Sequence, residues 1–389
     1  MDLKFRKEAI ELYANIVPIP GGQTFLAAVV TDKEAVPKIN RAFLVQDQSC
    51  VPLGFSIYLV QESIQAVATP EGAICVVVPN KLSHIDAGDI VRVNAAAGEL
   101  LILFRASSPN NSILLTERCN SWCVMCSQPP RNRDDEWIAD EWLRVLPLIP
   151  KNTDSIGITG GEPTLLGRKF IEVIAACVEH LPSTSLHVLS NGRNFAYLSL
   201  AKALSDLKHP ALTVAIPLYS DVAWRHEFVV QARNSFDDTI RGILNLARCG
   251  ISVEIRIVLH RLTIPRLKHL ATYIVRNFPF VSHVALMGLE PIGFARANYD
   301  ALWVDPVDYA TDLTEAVDVL FQGKVSFSIY NHQLCTIPKH LWPFSVNSIS
   351  DWKNIYLDEC FGCDLRDKCG GFFHSAVDKY SRSIKSIKL

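Results

Sequence analysis

The chain has 389 residues, 38 basic and 40 acidic side chains, a net charge of −2 and 49% hydrophobic residues. That length admits two or three domains, the apolar fraction suits a globular chain with a sizeable core, and the balanced charge gives no electrostatic case for nucleic acid. No apolar run is long enough to span a bilayer, and no signal-peptide core follows the charged start Met1-Asp2-Leu3-Lys4-Phe5-Arg6-Lys7. A cytoplasmic protein with neither nucleic-acid nor membrane partners is expected. The unusual count is eleven cysteines, which in such a chain point to metal rather than disulfides.

In chain order, residues 1–108 carry short β-type runs at Thr24 to Val30, Phe55 to Val60, Ala73 to Val78, Ile90 to Val93 and Leu100 to Phe104. Turn residues such as Pro70-Glu71-Gly72 and Ala87-Gly88-Asp89 separate them. The pattern predicts a small β-rich domain ending in the linker Ser107-Ser108-Pro109-Asn110-Asn111, with Cys50 and Cys75 as packed thiols. From 109 to 322, strand and helix patterns alternate. Strands are predicted at Ser112 to Thr116, Ser155 to Ile158, Ser185 to Leu189, Leu212 to Ile216, Val253 to Leu259 and His283 to Met287. Between them apolar residues recur at helical spacing, as in Phe170, Val173, Ile174, Cys177 and Val178. Six βα units in succession predict an α/β fold on a parallel sheet, with functional loops at the carboxyl ends of the strands. Residues 323–389 form a short cysteine-bearing extension.

Cys119, Cys123 and Cys126 stand in C-x3-C-x2-C spacing on the loop after the first of these strands. Three thiolates on one loop can hold three irons of a 4Fe–4S cluster and leave the fourth iron open, whereas four cysteines would fill it. Taken alone, the same residues also read as a zinc knuckle or as buried thiols. After the second strand, Gly160-Gly161-Glu162-Pro163 combines a backbone that permits close approach with an acceptor for a cationic group. Ser190-Asn191-Gly192 follows the third strand as a turn, and Arg256 lies within the fifth, placed to meet either a carboxylate or an internal partner. In the extension, Cys335, Cys360, Cys363 and Cys369 suffice for one fully ligated iron–sulfur cluster or one four-cysteine zinc site.

The C-x3-C-x2-C loop followed one βα unit later by Gly160-Gly161-Glu162-Pro163 resembles the radical S-adenosylmethionine (SAM) superfamily. The resemblance implies a partial (β/α)6 radical SAM barrel in which Cys119, Cys123 and Cys126 hold a 4Fe–4S cluster. SAM then chelates the open iron and is cleaved by an electron from the cluster to methionine and a 5′-deoxyadenosyl radical. It further implies that Gly160, Gly161, Glu162 and Pro163 meet the amino group of SAM, that Ser190 and Asn191 lie near its ribose and carboxylate, and that Leu286 to Gly293 lies under adenine. His226 and Glu227 fall where relatives often carry a His-Asp pair. Met125 departs from the pattern, since many members have an aromatic residue before the third cysteine. Cys360-x2-Cys363-x5-Cys369 resembles the SPASM and twitch extensions of peptide-modifying members, with Phe373 where a further cysteine would continue the full pattern.

Across Leu114 to Asn120, Met125 to Pro130 and the tail from Asp351-Trp352-Lys353 to Phe372, the chain is most similar to the His-Xaa-Ser system radical SAM maturases. That similarity implies a ribosomally made peptide substrate, a partner radical SAM protein, an external electron donor and an auxiliary iron–sulfur cluster.

Overall fold

The structure is a computed structural model that describes residues 24–32, 34–36, 38, 40–47, 51–64, 69–94, 97–347, 355–376 and 379–389. Met1 to Lys7, Cys50 and Asp351-Trp352-Lys353 lie outside the described residues. The chain falls into two compact units, one of Met1–Ser112, Asp140–Ile156 and Ala175–Thr184, the other of Ile113–Ala139, Gly157–Ile174 and Ser185–Leu389.

The first unit carries β1 (Thr24–Val30), β2 (Arg41–Val45), β3 (Ile57–Gln61), β4 (Ile74–Val78), β5 (Ile90–Asn94) and β6 (Glu99–Phe104) in one sheet of order β4-β3-β2-β1-β5-β6. The first four are parallel neighbours, and β5 and β6 are added antiparallel. Parallel pairs are ordinarily joined through a helix, yet among the described residues no helix separates β1 to β4. Alternate side chains supply two cores, one with Val29, Leu44, Leu59 and Val76, the other with Phe43, Phe55 and Tyr58. Cys75 packs against the second. The sequence pattern misses β2, because four of its five residues are buried and no polar–apolar alternation marks it.

From residue 111 on, the chain forms a curled eight-stranded sheet in strict chain order. Its strands are β7 (Asn111–Leu114), β8 (Ser155–Thr159), β9 (Ser185–Leu189), β10 (Leu212–Pro217), β11 (Ser252–Leu259), β12 (His283–Gly288), β13 (Phe327–Tyr330) and β14 (Ser345–Val346). From β9 to β14 each neighbouring pair is parallel. Helices α1 (Glu136–Val145), α2 (Arg168–His180), α3 (Leu198–Ser205), α4 (Ala223–Val230), α5 (Ser235–Arg248), α6 (Leu267–Asn277) and α7 (Ala310–Gln322) connect the strands. The architecture is the expected partial (β/α)6 barrel, and β13 and β14 extend its sheet beyond α7. On β11 the residues alternate strictly, so Val253, Ile255 and Ile257 are buried while Glu254, Arg256 and Val258 line the other face. Cys177 is buried within α2, and Cys249 caps α5.

Candidate active site

The loops after β7, β8 and β9 meet through their backbones. Beyond β7, Leu115 N–H donates to Thr159 O at 2.9 Å, carrying the sheet pairing to the start of the cysteine loop. Buried Asp135 then fixes that loop from behind, accepting from Thr116 Oγ1 (2.9 Å), Glu117 N (2.5 Å) and Arg118 Nε (3.2 Å). Glu117, also buried, is ion-paired with Arg133.

The Gly-Gly turn packs directly on this loop. Gly161 N–H donates to Thr116 O and Glu162 N–H to Arg118 O, each at 2.8 Å. A Cβ on Gly160 would lie 2.6 Å from Thr116 O, and one on Gly161 would run into Arg118 O. These glycines therefore serve the close approach of two protein loops. Glu162 is wholly buried. Its Oε1 accepts from Thr164 N (3.1 Å), Thr164 Oγ1 (2.5 Å) and Ser190 Oγ (2.8 Å), and its Oε2 from Asn191 N (2.6 Å). The carboxylate thus staples the turn after β8 to the turn after β9. Burial raises its pKa, and these same hydrogen bonds oppose the rise. Pro163, buried, opens the short helical turn Pro163–Leu166 that follows.

Asn191 turns toward the cysteines, its Nδ2 donating to Asn120 Oδ1 at 2.6 Å and lying 3.9 Å from Cys119 Sγ. Cys126 Sγ donates to Gln128 O at 2.9 Å, and Phe294 N–H donates to Cys126 O at 2.8 Å. The far side of the loop is held by α4, with Trp122 and Val124 N–H donating to Val230 and Val229 carbonyls. Met125 packs in a buried cluster with Tyr219 and Val229, which Cys123 also touches. Burial pushes the Cys119 thiol up to about 12, helped by the Glu162 charge, and raises Cys123 and Cys126 as well. Cys119 also feels the charge of Cys126, and Cys123 that of both other loop thiols. Among the described residues no group of three His, Cys, Asp or Glu side chains is placed to hold a single metal ion. The donor set is three soft thiols on one loop, the ligand type of iron–sulfur clusters and of thiolate zinc sites alike.

Of the residues expected at the site, Cys119, Cys123, Cys126, Gly160, Gly161, Glu162, Pro163, Ser190 and Asn191 come together. Arg256 lies on the lining face of β11, its Nε 3.5 Å from Glu254 Oε1 and its Nη2 3.2 Å from Met287 Sδ. His226 is buried beneath the loop, its ring stacked on Tyr219 at 5.9 Å. Its Nδ1 accepts from Tyr219 N, and burial lowers its pKa to about 4. Gly293, expected within the segment under adenine, has a φ of +60° and a close approach to Cys126 O that excludes a side chain; Asp135, Tyr219 and Arg193 carry no sequence signal of their place here. Their roles arise from contacts across 17 or more residues of chain, for which no local pattern exists.

A second group of cysteines gathers in the extension. Cys335, Cys360, Cys363 and Cys369 line one pocket with Tyr356, Leu365 and Ile387. Backbone N–H groups of the last residues reach two of these sulfurs, Ile387 N to Cys363 Sγ at 3.4 Å and Lys385 N to Cys335. All ten described cysteines are free thiols.

Residues 113–274 match the family model for the Radical SAM superfamily. Among curated proteins, the GTP 3′,8-cyclase of Mycobacterium ulcerans is 30% identical over 172 residues, covering 42% of this chain and 45% of that relative. The Mycobacterium marinum GTP 3′,8-cyclase is 28% identical over the same shares. The chain thus matches about half the length of these curated relatives. Among solved structures, Streptococcus suis SuiB bound to S-adenosylmethionine covers 61% of this chain and 54% of its own at 17% identity and a TM-score of 0.49. Histidine-tagged anSMEcpe with bound AdoMet covers 72% and 88% at 18% identity and the same TM-score. No helix among the described residues is long and apolar enough to cross a membrane. Over residues 113–274 the chain is thus similar to the Radical SAM superfamily.

Proposed function

We propose that the protein is a radical SAM enzyme that cleaves S-adenosylmethionine reductively and modifies a ribosomally made peptide of the His-Xaa-Ser type. The observation that carries the enzymatic reading is the convergence of Cys119, Cys123 and Cys126 with the stapled turns at Glu162 and Asn191. When bound there, a 4Fe–4S cluster supplies the electron that breaks SAM. The chain's own residues form its cradle: three thiols would hold iron, the Gly160–Gly161 turn and Asp135 fix the loop, and Asn191, in the turn that Ser190 ties to Glu162, lies beside Cys119. The four thiols of the extension, with backbone N–H donors already aimed at two of them, suit an auxiliary iron–sulfur cluster. In this reading 1–108 is a β-rich accessory domain, 109–322 the catalytic barrel and 323–389 the auxiliary metal domain. A separate radical SAM protein would work beside it, and an external carrier would deliver electrons. Free thiols throughout suit the reducing cytoplasm.

The peptide assignment rests on the sequence resemblance of the tail. A small nucleotide substrate is the competing reading, and the match to GTP 3′,8-cyclases favours it. Anaerobic reconstitution with SAM and reductant, followed by mass spectrometry, tests both. Wild type should form 5′-deoxyadenosine and the Cys119, Cys123, Cys126→Ala triple variant none. A mass change in a His-Xaa-Ser peptide, and none in GTP, is the expected outcome, and the reverse would transfer the assignment to the nucleotide.

A further inference from the structure

One cationic side chain reaches the middle of the cysteine loop and has no part in the function proposed above. Arg193 follows the Ser190-Asn191-Gly192 turn, and its own N–H donates to Asn191 Oδ1 at 3.0 Å. Its Nη1 donates to Asn120 O at 2.5 Å and lies 3.5 Å from Ser121 Oγ, so the guanidinium sits against the segment between Cys119 and Cys123. The side chain is mostly buried at 17% exposure, and its Nε, wholly shielded from solvent, has no hydrogen-bond partner. Among the described residues its one ion pair is a 3.5 Å contact from Nη2 to the more exposed Asp238.

Other charged side chains around the loop are already engaged, Arg118 with Asp135 at 3.2 Å among them. Glu162, a buried carboxylate, accepts from the turns after β8 and β9. Arg256 acts on Tyr219 but is shared with Glu254. Arg193 Nη1, by contrast, reaches the backbone between Cys119 and Cys123. The potential of an iron–sulfur centre is set by its net charge, hydrogen bonding and exposure, and a fixed cation in a shielded site favours the more negative, reduced state.

We infer that Arg193 sets the electron affinity of the iron centre held by Cys119, Cys123 and Cys126, by fixing a positive charge inside the C-x3-C segment. The inference rests on the cluster reading above. Arg193 touches neither thiol nor substrate in this account, so its part is to position charge.

The test is a potentiometric EPR titration of the anaerobically reconstituted full chain, following the signal that SAM perturbs, in wild type, Arg193→Gln and Arg193→Lys. Gln can still donate to Asn120 O but is neutral, while Lys keeps the charge and loses the fork. Arg193→Gln should retain its iron and lose electron affinity on the order of tenfold, about 59 mV for a one-electron couple. Arg193→Lys should stay within about threefold of wild type, roughly half that shift. Equal potentials in all three iron-loaded proteins would overturn the inference. Iron loss in both variants would overturn it too, leaving Arg193 as a clamp on the loop. A wild-type chain whose first three cysteines bind no iron would remove the cluster reading itself, and this inference with it.

Discussion

Replacing Glu162 by Gln isolates the staple that joins the turns after β8 and β9. The carboxylate accepts four hydrogen bonds, two of them from the backbone amides of Thr164 and Asn191. A glutamine keeps one oxygen and turns the other into a donor. If the new NH2 occupies the Oε2 position it faces the Asn191 N–H; if it occupies the Oε1 position it faces the Thr164 N–H. Ser190 and Thr164 can rotate their hydroxyls, but a backbone amide cannot turn away. Either way one buried N–H loses its acceptor, which costs about 1–3 kcal/mol. The neutral side chain also escapes the burial penalty that raises the Glu162 pKa, which holds the net effect within that range and not above it. Two compact units make a single global unfolding energy ill-defined, so the direct readout is amide exchange at Asn191. A loss of about 1–3 kcal/mol corresponds to exchange roughly 5- to 150-fold faster, while the Leu115 amide, bonded to Thr159 O in the sheet, should keep its rate. The Thr164 amide takes the same acceleration if the new NH2 sits at the Oε1 position, so exchange within twofold of wild type at both Asn191 and Thr164 would refute the staple.

Gly161→Ala should drive a methyl into the Arg118 carbonyl, at a cost of about 1–3 kcal/mol read as faster exchange of the Glu162 amide that donates to it. Asp135→Asn should free the Glu117 or Arg118 end of the cysteine loop, and iron retention after gel filtration should fall well below wild type. Fully loaded protein should hold about eight irons in two clusters. Replacing Cys119, Cys123 and Cys126 by Ala should leave about half, whereas one residual zinc and no iron would convert the extension to a structural zinc site. His332 is buried, with Nδ1–H donating to Tyr330 O and Nε2 accepting from Tyr309 Oη, each at 2.8 Å. Burial lowers its pKa to about 4 against an ordinary 6.5. The unfolded chain therefore takes the proton first, and stability should fall as pH drops from 6.5 toward 4, by on the order of 3 kcal/mol from this residue. Thermal melts across that interval should lose most of the slope in a His332→Gln variant.

The barrel strands were legible because their signal is local. Runs of β-branched and apolar residues between helical repeats fall at Ser185–Leu189 and His283–Gly288 within a residue of expectation. β2 was not, because burial on both faces erases alternation in a five-residue strand. The cysteine triplet was legible for the same local reason, since loop spacing by itself confines three thiols. What Glu162 does was not. A glutamate after two glycines reads as an acceptor open to a ligand, and only the fold shows that Ser190 and Asn191, nearly thirty residues on, have taken both oxygens.

Arg256 was half legible. Residues two apart in a strand share a face, so Glu254 and Arg256 were bound to be neighbours as soon as Ser252–Leu259 was read as a strand, and the 3.5 Å ion pair follows. A guanidinium with such a neighbour is paired before any ligand arrives, and the Coulomb gain from a new carboxylate must be set against loosening the old one. Arg193 lies on a turn, where no periodicity assigns a partner, and its nearest carboxylate, Asp238, is a third exposed at 3.5 Å. The less shielded positive charge at the cysteine loop is therefore the one that sequence periodicity could not point to.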